Sequence, residues 1–239
     1  MGDVTSTMDI VRRLEIMGVP EGVAVLAASQ SRGRGRADRI WHSPADAGLY
    51  CSVLLRPDIP VDRFQAFSIA TGLAVCDALD PDASLGLQLK WPNDIVARDL
   101  KLGGILITTN VQHARVASAV VGIGVNLRPA PEMPETAISL QQLSPDARST
   151  PVAIVHCIFE SLSQRYAMVL AGRSGDAIAN WPDRLAYQGQ QISLQDGQIL
   201  HTGTLRAIDA TGSLIIDGPH GPVTVTSGEL TRGPRLLDA

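Results

Sequence analysis

A chain of 239 residues, 45% hydrophobic and 18% charged, has the make-up of an ordinary globular protein, with enough length for a real core in one or two domains. A formal net charge of -4 and only 4% aromatic residues weigh against a general nucleic-acid binder, which carries a broad basic surface and stacking platforms. With no basic-plus-apolar leader, no apolar run of membrane-spanning length, and Cys51, Cys76 and Cys157 far apart, the chain reads as a soluble cytoplasmic protein whose thiols are reduced core residues.

In chain order, Ser6-Thr7-Met8-Asp9 places a hydroxyl at a helix start and an acid three residues later. This capping signal predicts a helix to about Met17 with Val11, Leu14 and Met17 on its buried side. Residues 23–28 read as a buried strand leading into Arg32-Gly33-Arg34-Gly35-Arg36 and then Arg39-Ile40-Trp41. A second strand is expected over 49–55, and a long core helix over 61–79 from Phe64, Phe67, Leu73, Val75 and Leu79. Residues 85–89 read as a strand entering the turn Lys90-Trp91-Pro92-Asn93-Asp94, followed by a strand over 95–97. Strands over 102–108 and 116–127 are joined by 109–115, a spacing that suggests a mixed or antiparallel sheet.

Residues 129–150 read as an irregular excursion. Pro151 opens a helix to about Leu170, with Val152, Val155, Ile158, Phe159 and Leu162 as its apolar face, and a shorter helix is expected over 175–185. Beyond Tyr187, alternating segments over 191–194, 199–208, 214–216 and 223–226 are separated by Asp196-Gly197, Thr211-Gly212 and Asp217-Gly218. The expected architecture is α+β: a mixed or antiparallel central sheet flanked by helices in residues 1–187, and a small β barrel in 188–239.

The chemistry concentrates in four segments. The arginine-glycine stretch packs four arginines into residues 32–39 of an otherwise acidic chain. Glycine lets backbone approach a ligand, and the guanidinium fork suits carboxylates and phosphates. It is either a clamp for an anion or a solvated basic loop. Lys90, at a strand end fixed by Pro92, is either a point cation for phosphate or a strand cap. The paired Gly103-Gly104 marks either a bulge or a close approach of ligand or backbone. In Gly122-Ile123-Gly124-Val125-Asn126, the asparagine either reads a nucleobase edge or turns the chain. The five histidines (42, 113, 156, 201 and 220) are scattered, with His156 reading as structural, so neither a metal site nor a nucleophile with a paired base is indicated. Phosphate-binding loops of the P-loop and dinucleotide types are absent from the sequence.

Taken in order, Ser6-Thr7, Gln30 with Gly33-Arg34-Gly35-Arg36, Arg39-Ile40-Trp41, Ser43-Pro44 and Leu49-Tyr50 resemble the biotin protein ligases. The resemblance continues through Lys90-Trp91-Pro92-Asn93-Asp94, Lys101-Leu102-Gly103-Gly104-Ile105-Leu106 and Gly122-Ile123-Gly124-Val125-Asn126-Leu127, and the last β unit resembles that family's SH3-like domain. The resemblance implies a biotin/lipoate ligase-like catalytic domain that joins biotin to a lysine of a biotin carrier protein, such as an acetyl-CoA carboxylase subunit, through biotinyl-5'-AMP.

By that pattern Lys90 and Arg36 are catalytic. Ser6, Thr7, Met8, Gln30, Arg34, Gly35, Arg36, Trp41, Lys90, Gly103 and Gly104 meet biotin, and Gly33, Arg34, Arg36, Arg39, Lys90 and Asn126 meet the nucleotide. ATP and biotin are then the substrates, Mg2+ accompanies ATP, and homodimers are within the family's range. The chain begins almost at the first catalytic helix, so neither the helix-turn-helix domain of some relatives nor DNA binding is expected. Two positions depart from the pattern: Met8, where asparagine is usual, and Thr108, where many relatives carry an acid. Altered affinity is expected from them rather than lost activity. Lipoate-protein ligases share the architecture and adenylation chemistry, and the Gly-Arg-Gly-Arg segment favours biotin.

Overall fold

A computed structural model of the chain describes residues 2–145 and 150–233. In chain order its elements are β1 (Asp3–Val4), α1 (Thr7–Ile16), β2 (Ala24–Ala27), β3 (Ser29–Gln30), β4 (Gly48–Leu55), β5 (Ile59–Pro60), α2 (Phe64–Leu79) and β6 (Gln88–Lys90). There follow β7 (Asp94–Ala97), β8 (Leu100–Gln112), β9 (Arg115–Asn126), α3 (Leu140–Leu143), α4 (Pro151–Leu170), α5 (Ser174–Ala177) and α6 (Trp181–Arg184). The last five strands are β10 (Gln191–Asp196), β11 (Ile199–Ile208), β12 (Leu214–Gly218), β13 (Gly221–Val225) and β14 (Glu229–Arg232).

The central sheet runs β2-β4-β9-β8-β7-β6, with β5 added on β9, and every pair in it is antiparallel. Side chains alternate across a strand, and here the alternation sorts the two faces. Leu49, Cys51, Val53 and Leu55 of β4, with Ala119, Val121, Ile123 and Val125 of β9, point into the main core beneath α2 and α4. Leu54 and Val120 point the other way, onto Met8 and Val11 of α1. Buried on nearly every side, α2 occupies the middle of the core rather than its surface. Phe67 of α2 meets Tyr166 of α4 with ring centroids 5.9 Å apart.

The C-terminal strands form a five-stranded antiparallel sheet, order β13-β12-β11-β10-β14, the small SH3-like unit expected at this end. Its apolar side, including Leu194, Leu205, Leu214 and Leu230, joins the main core. The indole Nε1 of fully buried Trp91 donates to Gly212 O at 3.0 Å, tying the turn after β6 to the β11–β12 turn. The Trp91–Pro92 peptide bond is cis.

Several expectations are corrected. Met17 is 77% and Val152 67% exposed, so α1 and α4 are buried through shorter stripes, the latter through Ile154, Ile158, Leu162, Tyr166 and Val169. Cys157 lies on the exposed side of α4, so it is not a core residue. Ser6 makes no side-chain cap bond to α1. The strand expected over 85–89 shrinks to β6 because Leu85 N and Leu87 N donate to the Asp80 carboxylate instead of to a strand. The helix expected over 175–185 is two single turns, α5 and α6, and the excursion over 129–150 contains α3, opened by a Ser139–Gln142 capping box. The turn between β12 and β13 is Pro219-His220 rather than Asp217-Gly218. Strand β14 had no counterpart in the reading of the sequence.

Candidate active site

The N-terminal turn of α1 sits over β4 and β9, where it forms one end of a cleft of about 260 Å³. Thr7 donates to Gln30 Oε1 from its backbone N (2.8 Å) and its Oγ1 (3.1 Å), and Thr7 Oγ1 lies 2.7 Å from Ser52 Oγ. The other end of the Gln30 amide donates to Ser43 Oγ at 2.9 Å. This network fixes the turn that carries Ser6, whose residue is 1% exposed and whose Oγ has no hydrogen-bond partner among the described residues. A buried hydroxyl left unpaired costs about 1–3 kcal/mol, which a ligand's hydrogen bond would recover. Beside it the Met8 thioether lies on Gly122, so closely that a Cβ there would stand 2.8 Å from Sδ.

The arginine segment folds as a small hairpin. Trp41 N donates to Gly33 O (3.0 Å), Gly35 N to Arg39 O (2.7 Å), and Arg34 bridges Ile40 antiparallel. The tip turns through Ala37 and Asp38 with φ of 51° and 57°. Three guanidinium groups are each held by a different element: Arg34 by Asp9 of α1 (2.6 Å), Arg36 by Asn93 Oδ1 (2.9 Å), and Arg39 by Glu229 of β14 (2.7 Å). The hairpin is thereby aimed across the cleft at the turn after β6. Asn93 in turn donates to Ile105 O at 2.8 Å.

Lys90 ends β6 and lines the cleft, opposite Asp94 in the β6–β7 register. Asp94 pairs with Lys101 of β8 at 2.7 Å, and the Lys101 ammonium lies 5.5 Å from the centre of the Trp41 ring. The Trp41 indole lies against Gly124, where a Cβ would approach to 2.6 Å, and its Nε1 is buried without a partner among the described residues. Glycine at 122 and 124 therefore makes the floor on which Met8 and Trp41 rest. Tyr50, also on the cleft, donates its hydroxyl to Pro44 O at 3.0 Å, and burial raises its pKa to about 12, so it stays neutral at working pH.

Of the residues singled out in the sequence, Ser6, Thr7, Met8, Gln30, Arg34, Gly35, Arg36, Arg39, Trp41, Lys90, Gly104 and Asn126 line this one cleft. Gly33 and Gly103 do not. A Cβ on Gly33 would fall 2.2 Å from Trp41 O, so this glycine serves the hairpin's own backbone. Gly103 pairs with Val125 on the core side of the sheet, and the strand's alternation sends Gly104 alone to the cleft. Asn126 reaches the wall, yet its Nδ2 donates to Lys101 O (3.3 Å) and Ile138 O (3.2 Å), which commits the amide to backbone. Thr108 is not among the lining residues. Sequence reading missed Tyr50, Ser52, Asn93, Asp94, Lys101, Gly122 and Gly124 as individual cleft residues; the alternation of Gly122 and Gly124 along one strand is the signal that could have found the floor.

With six cations (Arg34, Arg36, Arg39, Lys90, Lys101 and Arg128) lining it beside an orphaned hydroxyl and an apolar floor, the cleft suits an extended anion with an apolar end. The sequence matches the Biotin/lipoate A/B protein ligase family over residues 2–126 and the biotin protein ligase C-terminal domain over 187–230. It is 32% identical to a biotin--[acetyl-CoA-carboxylase] ligase of Mycobacterium tuberculosis over 242 aligned residues, covering 95% of this chain and 85% of that protein. It is 28% identical to the bifunctional ligase/repressor BirA of Bacillus subtilis, covering 96% of this chain and 72% of that protein. Its fold superposes on the biotin protein ligase of Aquifex aeolicus in complex with biotin and ATP with a TM-score of 0.83 and 26% identity, over 98% of this chain and 97% of that one. A cleft of this chemistry, a matching catalytic region and a matching C-terminal unit together assign the chain to the biotin/lipoate A/B protein ligase family, on its biotin protein ligase branch.

Proposed function

We propose that this chain attaches biotin to one lysine of a biotin carrier protein, such as a carboxylase subunit, in two steps that consume ATP. A biotin carboxylate oxygen attacks the α-phosphorus, the bond to the pyrophosphate oxygen breaks, and biotinyl-5'-AMP forms. The carrier lysine, as a neutral amine, then attacks the acyl carbon. The new amide loses the amine's proton, and AMP leaves with the electrons of the broken bond.

The reading is carried by the 2.9 Å bond between Arg36 and Asn93, which joins the arginine hairpin to the turn that follows Lys90. Negative charge builds on the α-phosphate oxygens as the first step proceeds, and cations already in position stabilise it with little reorganisation. In the proposal Arg34, Gly35, Arg36 and Arg39 cover the phosphates, and Lys90 takes the bridging carboxylate and phosphate oxygens. Lys101 of β8, released from Asp94, adds a second ammonium. Ser6, oriented by the Thr7–Gln30 network, meets the polar ring of biotin, while Met8, Trp41 and Gly104 bound its apolar part. Asn126 holds the wall through the backbone.

Magnesium enters with ATP in this reading. Among the described residues no cluster of three His, Cys, Asp or Glu side chains is arranged to hold an ion, and Asp94 is already paired. The division into a catalytic unit (1–187) and a small β unit (188–239) belongs to the same proposal. So does a cytoplasmic location, supported by three unpaired cysteines. Among the described residues no helix is long and apolar enough to cross a membrane.

The test is pyrophosphate release from ATP on adding biotin, with lipoate as the control. Biotin alone should support it, and Lys90→Ala or Arg36→Ala should lower the rate by about 100-fold or more with the fold retained by circular dichroism. Unchanged turnover in both variants would remove the site assignment, and turnover with lipoate alone would change the substrate.

A further inference from the structure

Strand β6 is three residues long and ends in Lys90, so something other than a long ladder must hold it. On one side it pairs with β7. On the other it meets only the short stretch after α6: Leu89 bridges Leu185 in parallel, and Ala186 N donates to Leu89 O at 3.0 Å. Behind both lies an ion pair, Arg184 with Asp80 at 2.9 Å, in which the two residues are 6% and 1% exposed. Asp80 follows the last residue of α2, and its carboxylate accepts from Leu85 N and Leu87 N, each at 2.9 Å. Arg184 donates to Leu87 O (3.3 Å) and to Asp80 O. The pair thus seizes the backbone three residues before Lys90. Neither member lines the cleft.

Stability alone does not account for this arrangement. Burying two charges costs several kcal/mol each, and apolar residues of similar volume often hold a core equally well. What an apolar pair lacks is direction: it cannot accept two amides and donate to two carbonyls at fixed angles. Leu89 is further seated on Gly72 of α2, where a Cβ would come within 2.5 Å of Leu89 Cδ1. The level of Lys90 along the sheet is set by these contacts, all on the side away from the cleft.

We propose that Asp80 and Arg184 are positioning residues for the Lys90 ammonium, acting through β6 and not through substrate. The inference rests on the reading of Lys90 as the cation at the reacting phosphate. Its consequence is a defect confined to the chemical step, because Ser6, Thr7, Gln30 and the arginine hairpin do not touch the pair. A displacement of about 1 Å at a reacting group costs up to about 100-fold in rate.

The test is a double-mutant cycle on biotinyl-AMP formation. Arg184→Lys keeps the charge but loses the fork. It should lower kcat about tenfold while the KM values for biotin and ATP stay within about twofold. In a Lys90→Ala background the same change should produce no further loss, since the group it positions is gone. A folded Arg184→Lys protein with kcat within about twofold of the parent overturns the proposal, as does a loss that multiplies with that of Lys90→Ala or falls on KM. If Arg184→Lys does not fold, Asp80→Asn, nearly isosteric, decides in the same cycle by the same criteria. Failure of the parent enzyme to make biotinyl-AMP would instead remove the functional reading itself, so the two failures are told apart.

Discussion

Gly122 and Gly124 lie two apart on β9, and what rests on each decides what it tolerates. An alanine at 122 would place its Cβ 2.8 Å from Met8 Sδ, the far part of a flexible thioether that can move aside. An alanine at 124 would stand 2.6 Å from the rigid Trp41 indole. Gly124→Ala is therefore expected to cost about 1–3 kcal/mol as the ring is forced off its floor, and Gly122→Ala less than about 1 kcal/mol. Denaturant unfolding measures both costs, and biotin titration should show the larger loss of binding for Gly124→Ala. Among the thiols, burial raises Cys51 and Cys76 to about 12, so both stay protonated near pH 8, whereas Cys157 is exposed. A chromogenic disulfide should therefore modify one thiol in the native protein at pH 8 and three in denaturant. Cys157 was misread because α4 spends its apolar surface on one stripe, and a cysteine between two buried positions looks the same in sequence on either side.

The longest hairpin, β8–β9, turns at His113-Ala114, both with positive φ (49° and 58°). That is the two-residue turn in which Asn-Gly is preferred, since a Cβ is strained there. Ala114→Gly should relieve about 1–2 kcal/mol of that strain. It gives back about 0.4–1 kcal/mol by loosening the unfolded chain. The melting temperature is expected to rise by about 1–3 °C; a fall would show that the turn bears no such strain. Elements with long, regular patterns were legible in the sequence: α4 was expected to open at Pro151 and run to about Leu170, as it does, and β4 was placed within one residue. The short ones were not. The segment 85–87 has strand-like residues, and its amides went to the Asp80 carboxylate, a competitor that local periodicity does not register.

The five-stranded unit is held to the rest of the chain by its apolar side and by one buried turn. Gly212, with φ of 88°, brings the β11–β12 turn so close to the start of α2 that a Cβ would stand 2.6 Å from Ala66 N, and its carbonyl accepts from Trp91. The same turn that packs the small unit thus steadies the residue beside Lys90. Gly212→Ala is expected to destabilise by about 1–3 kcal/mol, since backbone stands in the way and the φ is strained, and to lower kcat more than it raises KM. Thermal unfolding and adenylation kinetics check the two effects, and a destabilised variant with unchanged kcat would disconnect the small unit from Lys90. The exposed Arg39–Glu229 pair also joins the units, but an ion pair this exposed contributes only about 0–1 kcal/mol.

The amino-acid order alone determined the chemistry on offer: arginines on glycine-relaxed backbone, a lysine ahead of a proline turn, a hydroxyl pair opening a helix, and the succession of motifs that marks the family. Those are local properties, written in residue type and spacing. Tertiary structure decided which of them meet. Strand alternation turned Gly104 to the cleft and Gly103 to the core, a bond to Asn93 aimed Arg36, and backbone carbonyls claimed Asn126. The partners of Arg36 and Asp80 lie 57 and 104 residues away, and only packing brings such residues into contact.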